Sequence, residues 1–187
     1  MSLSRIGYLL AAFALCWSTY YYLTNDKQSA SQVSPSLEQP MFSGKNLNNT
    51  SYDESGVRSY VITSLSLDYY AKSGDTVFNK PVLKVFKEGS IQEWEITAKT
   101  GVLDKDHILT LTNDVVVKNL LPESGFDTLN TLDMSIRLDN RDFWADNQVI
   151  IYGPQFETIG QAMKGNFADH SATLYKSVQG RYETLRP

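Results

Sequence analysis

Three features of the 187-residue sequence predict an all-β fold of antiparallel strands. Apolar residues alternate with polar ones over short runs, as at Trp94 and Ile96, and a period of two is that of a half-buried strand. Polar clusters separate these runs, and no helical period interrupts them. A strand–turn–strand pattern also recurs, because residues 103–117 are echoed by residues 138–151 at an offset of 35 residues that falls to 34. Such a repeat predicts an elongated, stacked β-structure and not a closed enzyme core.

The clearest strands lie between residues 91 and 117. Trp94 and Ile96 alternate with Glu93 and Glu95, which predicts that both carboxylates share one solvent-exposed strand face. Further along, Leu109 and Leu111 alternate with threonines in the same way. The polar pair at residues 113–114 then predicts a tight turn before the valine run of residues 115–117.

The chain before this segment predicts strands at residues 45–52, 60–70, 77–78 and 82–86. Gly56 lies in a turn where a positive φ is available to it, and Pro81 suggests an edge or the start of a strand. In the strand of residues 60–70, the alternation assigns one set of side chains to an inward face: Val61, Thr63, Leu65, Leu67 and Tyr69. The opposite set is polar: Ser64, Ser66 and Asp68.

The chain after Val117 continues the pattern. A loop at residues 120–125 precedes a run of alternating apolar residues: Leu132, Met134, Ile136 and Leu138. The strand of residues 149–152 ends at Gly153, and shorter strands follow at a regular spacing over residues 156–159, 163–167, 172–175 and 178–182. The sequence therefore predicts about a dozen or more antiparallel strands, with no helix outside the amino-terminal segment.

Residues 6–23 form a run of 18 residues without a charge. As a helix this run spans about 27 Å, close to the roughly 30 Å of a bilayer core. Tyr20–Leu23 is too bulky for the small-residue site of a cleaved signal peptide, so we expect an uncleaved membrane anchor. Arg5 precedes the run, which favours a cytoplasmic amino terminus.

The remainder divides into a tether and a folded domain. Residues 24–41 are rich in Ser, Gln, Asn and Pro, which predicts a flexible periplasmic tether. Residues 42–187 carry the strand patterns and form the predicted domain. The single cysteine, Cys16, lies in the anchor, so no disulfide is expected in the domain.

No pattern of catalytic, metal-binding or cofactor-binding residues stands out in the sequence. His107 and His170 are the two histidines, and both lie among turn residues where side chains are usually exposed. No Cys/His spacing fits zinc, and no phosphate-binding glycine loop or nucleophile elbow occurs. The net charge of −4 argues against a nucleic-acid partner. We therefore predict no enzyme activity and no cofactor, and we expect the domain to bind something.

The order of several motifs resembles the LptC family of lipopolysaccharide export proteins over essentially the whole chain. The resemblance is carried by these residues: Tyr69-Tyr70, Phe78, Pro81-Val82-Leu83, Phe86, Trp94-x-Ile96-x-Ala98, Leu109-x-Leu111, Val115-x-Val117, Tyr152-Gly153, Gly165-Asn166 and Tyr182. It implies a twisted, open antiparallel β-jellyroll, similar to LptA, with one amino-terminal transmembrane helix in the inner membrane. It also implies that the domain takes lipopolysaccharide from an inner-membrane ATP-binding cassette export complex and passes it to the periplasmic protein LptA.

By this resemblance, the inward strand faces line a hydrophobic groove for the acyl chains of lipid A. The expected lining is Val61, Leu65, Leu67, Phe78, Val85, Trp94, Ile96, Leu109, Leu111, Leu132, Met134, Ile136, Phe167 and Leu174. The alternative is that these side chains fill a dry core, and alternation alone does not separate a core from a groove.

The resemblance also directs attention to the strand edges, which could join one like-folded domain to the next. The end near residues 45–52 is expected to meet the transporter, and the end from Ala172 to Tyr182 to meet LptA. The expected docking residues are Gly153, Ala172, Leu174 and Tyr182. An alternative function is a membrane-anchored scaffold that docks envelope proteins without carrying lipid.

Overall fold

The computed structural model describes residues 39–121 and 125–182, which form one sheet of 14 antiparallel strands. The first seven strands are β1 (Phe42–Tyr52), β2 (Arg58–Tyr70), β3 (Asp75–Asn79), β4 (Val82–Lys87), β5 (Ile91–Thr97), β6 (Thr100–Leu103) and β7 (Ile108–Asn119). The others are β8 (Thr128–Arg137), β9 (Asp142–Ala145), β10 (Val149–Gly153), β11 (Phe156–Gly160), β12 (Ala162–Asn166), β13 (Ser171–Tyr175) and β14 (Gln179–Tyr182). The all-β prediction is confirmed.

The predicted anchor, residues 6–23, lies outside the described residues, as does most of the predicted tether. Within the described ranges there is no helix long and apolar enough to cross a membrane.

The connectivity is an antiparallel meander that is folded over on itself. Four strands, β1, β2, β7 and β8, make single long passes, and five pairs of short strands make the other passes: β3–β4, β5–β6, β9–β10, β11–β12 and β13–β14. Each pass pairs with the passes before and after it in the sequence. The first and last passes do not pair with each other in the described structure, so the sheet is open, as expected.

Three of the long strands, β2, β7 and β8, change a neighbour part-way along their length. β2 pairs with β4 as far as Thr63 and with β3 from Ser66 onward. In the same way β7 pairs with β6 as far as Thr112 and with β5 beyond Val115. We call the line through these changes the crease. It separates half 1, which contains β3, β6, β9, β12 and β13, from half 2, which contains β4, β5, β10, β11 and β14.

Residues 113–114 lie on the crease and do not form the tight turn that their polarity predicts. They are a bulge inside the continuous strand β7, where the pairing register with β8 shifts. Asn113 and Asp114 have φ angles of 65° and 56°, a left-handed conformation that asparagine and aspartate tolerate better than most residues. The Lys99 backbone N–H donates to the Asn113 carbonyl over 2.9 Å, and its ammonium group lies 2.5 Å from the Asp114 carboxylate.

The crease also reverses the buried face of β2, which the regular alternation did not predict. Ile62 and Ser64 are buried before the crease and Leu67 is buried after it, so the period of two is broken between them. Val61 is therefore half-buried on the face opposite Ile62, and Leu65 is 48% exposed. The predicted inward positions of Val61 and Leu65 are wrong, because a strand that bends and changes partner loses its regular alternation.

The same break occurs in β8. Leu129 and Thr131 are buried before the crease and Met134 after it, whereas Leu132 is 58% exposed. In both strands a hydroxyl next to the break bonds within it: the Ser64 hydroxyl donates to the Ser66 carbonyl, and the Thr131 hydroxyl to the Asp133 carbonyl, each over 3.2 Å. The predicted inward position of Leu132 is wrong for the same reason as that of Leu65.

The repeat seen in the sequence corresponds to two passes of the meander. Asn113-Asp114 and Asn147-Gln148 both lie on the crease, in β7 and in the link between β9 and β10. Leu103-Asp104 and Leu138-Asp139 both lie at the opposite rim of half 1, where β6 and β8 end. The echo of about 35 residues is therefore one complete trip from the rim of half 1 across the crease to the far rim of half 2 and back.

A substitution at the crease tests the bend. We expect Asn113→Val to lower the free energy of unfolding by about 1 kcal/mol, because β-branched residues fit a left-handed backbone poorly. Asn113→Gly should leave it unchanged, since glycine adopts positive φ freely. Guanidinium unfolding followed by tryptophan fluorescence measures both. Lys118→Val, at an exposed position of ordinary geometry in the same strand, is the control, and an equal loss there would contradict this role of the bend.

Candidate functional site

The interior lies between the two halves and is lined by apolar side chains from both. Leu83 and Ile96 of half 2 and Leu109 and Leu111 of half 1 have no more than 1% exposure. A cavity lined by Leu83, Val85, Ile136 and Phe167 measures about 10 Å³, room for roughly one water molecule. Side chains therefore fill this part of the interior.

The rim opposite the crease is where side chains from the two halves meet; we call it the mouth. Half 2 contributes Ser59 and the pair Glu93–Trp94, and half 1 contributes Arg141 and the turn of residues 167–170. No backbone ladder crosses the mouth at these residues, and the contacts between them are made by side chains.

Glu93 is 2% exposed, which contradicts its predicted place beside Glu95 on a solvent face. The reason is a bulge between β4 and β5: Val85 pairs with Trp94 and Phe86 with Gln92, so Glu93 is the extra residue. A bulge turns two consecutive side chains to one face. The Glu93 carboxylate therefore lies inside the mouth, where His170 Nε2 is 3.2 Å from its Oε1.

Trp94 joins the halves at the same place. Its indole N–H donates to the Phe167 carbonyl over 3.2 Å, and the two rings lie 5.1 Å apart. The His170 ring also stacks with the Trp94 ring, at 6.0 Å. Phe167 in turn packs against Phe143 at 4.3 Å, so the aromatic contacts run from the mouth into half 1.

Arg141 forms a third polar contact across the mouth, since its guanidinium donates to the Ser59 hydroxyl over 3.2 Å. It also faces the turn after β1. There the Ser55 hydroxyl, backbone N–H groups and the positive charge of Arg141 lower the pKa of the Asp53 carboxyl. An open cleft of about 800 Å³ lies alongside, lined on its half 1 side by His107, Leu138 and Asp139.

The structure brings most of the predicted groove residues together. Ten are buried in one cluster: Leu67, Phe78, Val85, Trp94, Ile96, Leu109, Leu111, Met134, Ile136 and Phe167. Leu174 is half-buried and packs against that cluster. Val61, Leu65 and Leu132 lie apart from it. Leu132 instead lines a cleft of about 770 Å³ outside the crease, with Asn130 and Gln161.

Several interior residues were absent from the predicted lining: Ile62, Leu83, Val115, Val117, Leu129, Val149 and Met163. Leu83 lies two residues before the predicted Val85, so the same period of two indicates that both face inward. Because β2 reverses its buried face, regular alternation assigns Ile62 to the wrong face of the strand. The burial of Glu93 cannot be predicted from the sequence, because a bulge leaves no distinct spacing of polar and apolar residues.

The predicted docking residues lie in and next to the last strands. Ala172 and Leu174 belong to β13 and Tyr182 to β14, and each of these strands has one neighbour among the described residues. Gly153 ends β10 opposite Phe156 of β11, and a Cβ there would come within 2.1 Å of the Phe156 ring. Because that ring lies 6.1 Å from Tyr182, a side chain at Gly153 would disturb the contact with β14.

Comparison with known proteins adds a decisive observation. A family model described as "Lipopolysaccharide-assembly, LptC-related" matches residues 8–183. This chain belongs to the LptC family. Curated relatives named "Lipopolysaccharide export system protein LptC" include that of Escherichia coli K12, 28% identical over 84% of this chain and 83% of that protein. The Haemophilus influenzae relative of the same name is 26% identical over 97% of this chain and 96% of that protein.

LptC-family membership makes the apolar interior the candidate site. The described residues contain no group of three or more His, Cys, Asp or Glu side chains that could hold a metal ion. What the arrangement offers is an apolar surface from both halves, with buried polar side chains at the crease, Ser64 and Thr131, and at the mouth, Glu93.

Matched leucine substitutions test this division between inside and outside. We expect Leu109→Ala or Leu111→Ala to lower the free energy of unfolding by about 2–5 kcal/mol, because each leaves a cavity in a filled interior. Leu65→Ala and Leu132→Ala should stay within about 0.5 kcal/mol of the parent protein, as surface changes do. Chemical denaturation of the purified chain compares all four. A large loss at Leu132 would contradict its outward position.

Proposed function

We propose that this chain receives lipopolysaccharide from the inner-membrane ATP-binding cassette transporter and passes it through its interior to LptA. The observation that carries the proposal is the apolar interior face shared by both halves, in an LptC-family chain. The meander supplies this face on every pass from β2 to β12, so the apolar surface extends along the sheet.

The chemistry of the substrate requires such a surface. Each acyl methylene transferred out of water gains about 0.8 kcal/mol, so a chain of a dozen methylenes cannot cross the periplasm unprotected. The apolar side chains that fill the interior contact one another. The acyl chains of a bound lipid would replace these contacts. The proposal therefore requires the two halves to separate while lipid is bound.

The open sheet supports transfer between domains. β1 is the edge strand of both halves at one end, and β13 and β14 are the edges at the other end. Exposed edges pair readily with further strands. We assign the β1 edge to the transporter and the β13–β14 edge to LptA, so that the apolar faces of successive domains join.

The filled interior favours a second candidate function. A cavity of about 10 Å³ suits a scaffold that docks envelope proteins and carries no lipid. Lipopolysaccharide bound to the purified chain distinguishes the two functions, since a scaffold that carries no lipid would not bind it.

Photo-crosslinking tests the lipid path. A photoreactive residue at Phe78 or Trp94 is expected to label lipopolysaccharide in cells, because both side chains face the interior with 4% and 3% exposure. The same residue at Glu95 or Leu132 should not label it, since Leu132 is apolar but faces outward. Immunoblotting for lipopolysaccharide adducts gives the measurement. Equal labelling at Trp94 and Glu95 would reject the interior path.

Variants of the last strands test the assignment of the edges. Gly153→Arg, or deletion from Ala172 onward, is expected to weaken binding of LptA and to spare the transporter. The arginine side chain would displace the Phe156 ring and disturb β14, and the deletion removes both edge strands. Co-purification with each partner gives the result, and protease resistance checks that the variant is folded. Retained LptA binding by the deletion variant would refute the assignment.

Reporter fusions test the membrane topology. We propose one uncleaved span at residues 6–23 with the amino terminus in the cytoplasm, supported by the uncharged run and by Arg5. A reporter enzyme that works only in the periplasm should be active after Pro187 and inactive ahead of Met1. Activity after Pro187 of a cytoplasm-only reporter would overturn the orientation.

A further inference from the structure

We propose that lipid enters between the halves at the mouth, and that four residues form a latch that must open first: Glu93, Trp94, Phe167 and His170. This inference rests on the proposed lipid-carrying function and specifies where and how the interior opens. It assigns a gating role to Glu93, whose buried position follows from the β4–β5 bulge.

The crease cannot be the opening. β1, β2, β7 and β8 run through it without a break, so separating the halves there would disrupt four continuous strands. The mouth is different, because its contacts are side-chain contacts. The halves can therefore move apart at the mouth as two leaves joined at the crease, while each half keeps its own strand pairing.

The latch holds this side closed by two polar contacts and by ring stacking. His170 Nε2 lies 3.2 Å from the Glu93 carboxylate, and the Trp94 indole N–H donates to the Phe167 carbonyl over 3.2 Å. The Trp94 ring also lies 5.1 Å from the Phe167 ring and 6.0 Å from the His170 ring. Glu93 and Trp94 thus both contact the turn of residues 167–170 in half 1. Movement of that turn breaks all of these contacts together.

The buried Glu93 carboxylate allows the latch to open and close reversibly. Charged groups are costly to bury without a partner, so Glu93 stabilises the closed state only while His170 faces it. Once the turn moves, water or the polar part of the incoming lipid can replace the His170 imidazole as the partner of Glu93. The carboxylate accepts from hydroxyl or amide groups, and the freed indole N–H donates to an oxygen. The same residues that close the mouth can then contact an amphiphile whose acyl chains lie inside.

Crosslinking the mouth tests the proposal directly. In the full chain with Cys16→Ser, the pair Glu93→Cys and His170→Cys is joined by a short, reducible thiol-to-thiol crosslinker. Purified lipopolysaccharide is the probe, and the bound amount is measured after gel filtration. We expect the crosslinked mouth to bind at least about tenfold less than the uncrosslinked protein, a change of roughly 1.4 kcal/mol, and reduction to restore binding.

The matched control is the pair Lys99→Cys and Asp114→Cys at the crease. Its native side chains also meet end to end, at 2.5 Å, but they join neighbouring strands and do not cross the mouth. Crosslinking there should leave binding unchanged. Equal binding by the crosslinked mouth and crease pairs would overturn the latch. Absence of binding by the Cys16→Ser parent would instead refute the lipid-carrying function.

A single substitution gives a second measurement that needs no crosslinker. His170→Ala leaves Glu93 without its imidazole partner, so the closed state is weakened and lipid should load about tenfold faster. His107→Ala is the control, because His107 also contacts a carboxylate, Asp139 at 2.9 Å, but within half 1 and with both side chains exposed. Loading of His170→Ala at the parent rate would overturn the latch.

Discussion

The structure depends on one interaction: the burial of the inner face of half 1 against the inner face of half 2. Among the described residues neither half is covered by a second layer of its own, so each half packs against the inner face of the other. Burying a large apolar side chain contributes about 1.5–3 kcal/mol, and the cluster contains twenty such side chains besides Ala145. The crease makes this burial possible within one meander, because every pass contributes to both halves. Any opening for a ligand must therefore give up part of the interaction that holds the fold together.

That constraint explains why the polar contacts are where they are. Across the mouth the halves are joined by side chains of Ser59, Glu93 and Trp94 meeting Arg141 and the turn before β13. At the crease they are joined by the backbone itself. A sheet built in this way has a fixed side and a side that can move, and its edges stay free for further strands. An LptC-family protein needs both properties if it is to accept a lipid and hand it on.

How much of this could be predicted from the sequence depends on whether the alternation was regular. Leu109 and Leu111, and likewise Trp94 and Ile96, lie inside as their period of two predicted. Elsewhere the period breaks. β2 reverses its buried face between Ser64 and Leu67, and β8 does so between Thr131 and Met134, so Leu65 and Leu132 were assigned to the wrong side. A bend that exchanges partners leaves no mark in a pattern of polar and apolar residues.

The burial of Glu93 is the clearest example of a feature that only the three-dimensional structure reveals. A glutamate between a glutamine and a tryptophan in a strand has every mark of a surface residue, and only the register of β4 against β5 moves it inside. The candidate site was therefore predicted in its apolar lining and missed in its polar rim. The lining repeats with the strands, whereas the rim is assembled from strand ends and turns that lie far apart in the sequence.

The two-pass repeat has a consequence for how such a domain can vary in size. Each pass pairs only with its sequence neighbours in the described structure, and the unit of about 35 residues begins and ends at the same rim. Inserting one unit would therefore add two strands to both halves and replace only one existing pairing, that of the two passes between which the unit is placed. Since neighbouring strands lie about 4.8 Å apart, the domain would lengthen by about 10 Å. The meander thus acts as a molecular ruler, in which the distance between the two ends is set by the number of repeats.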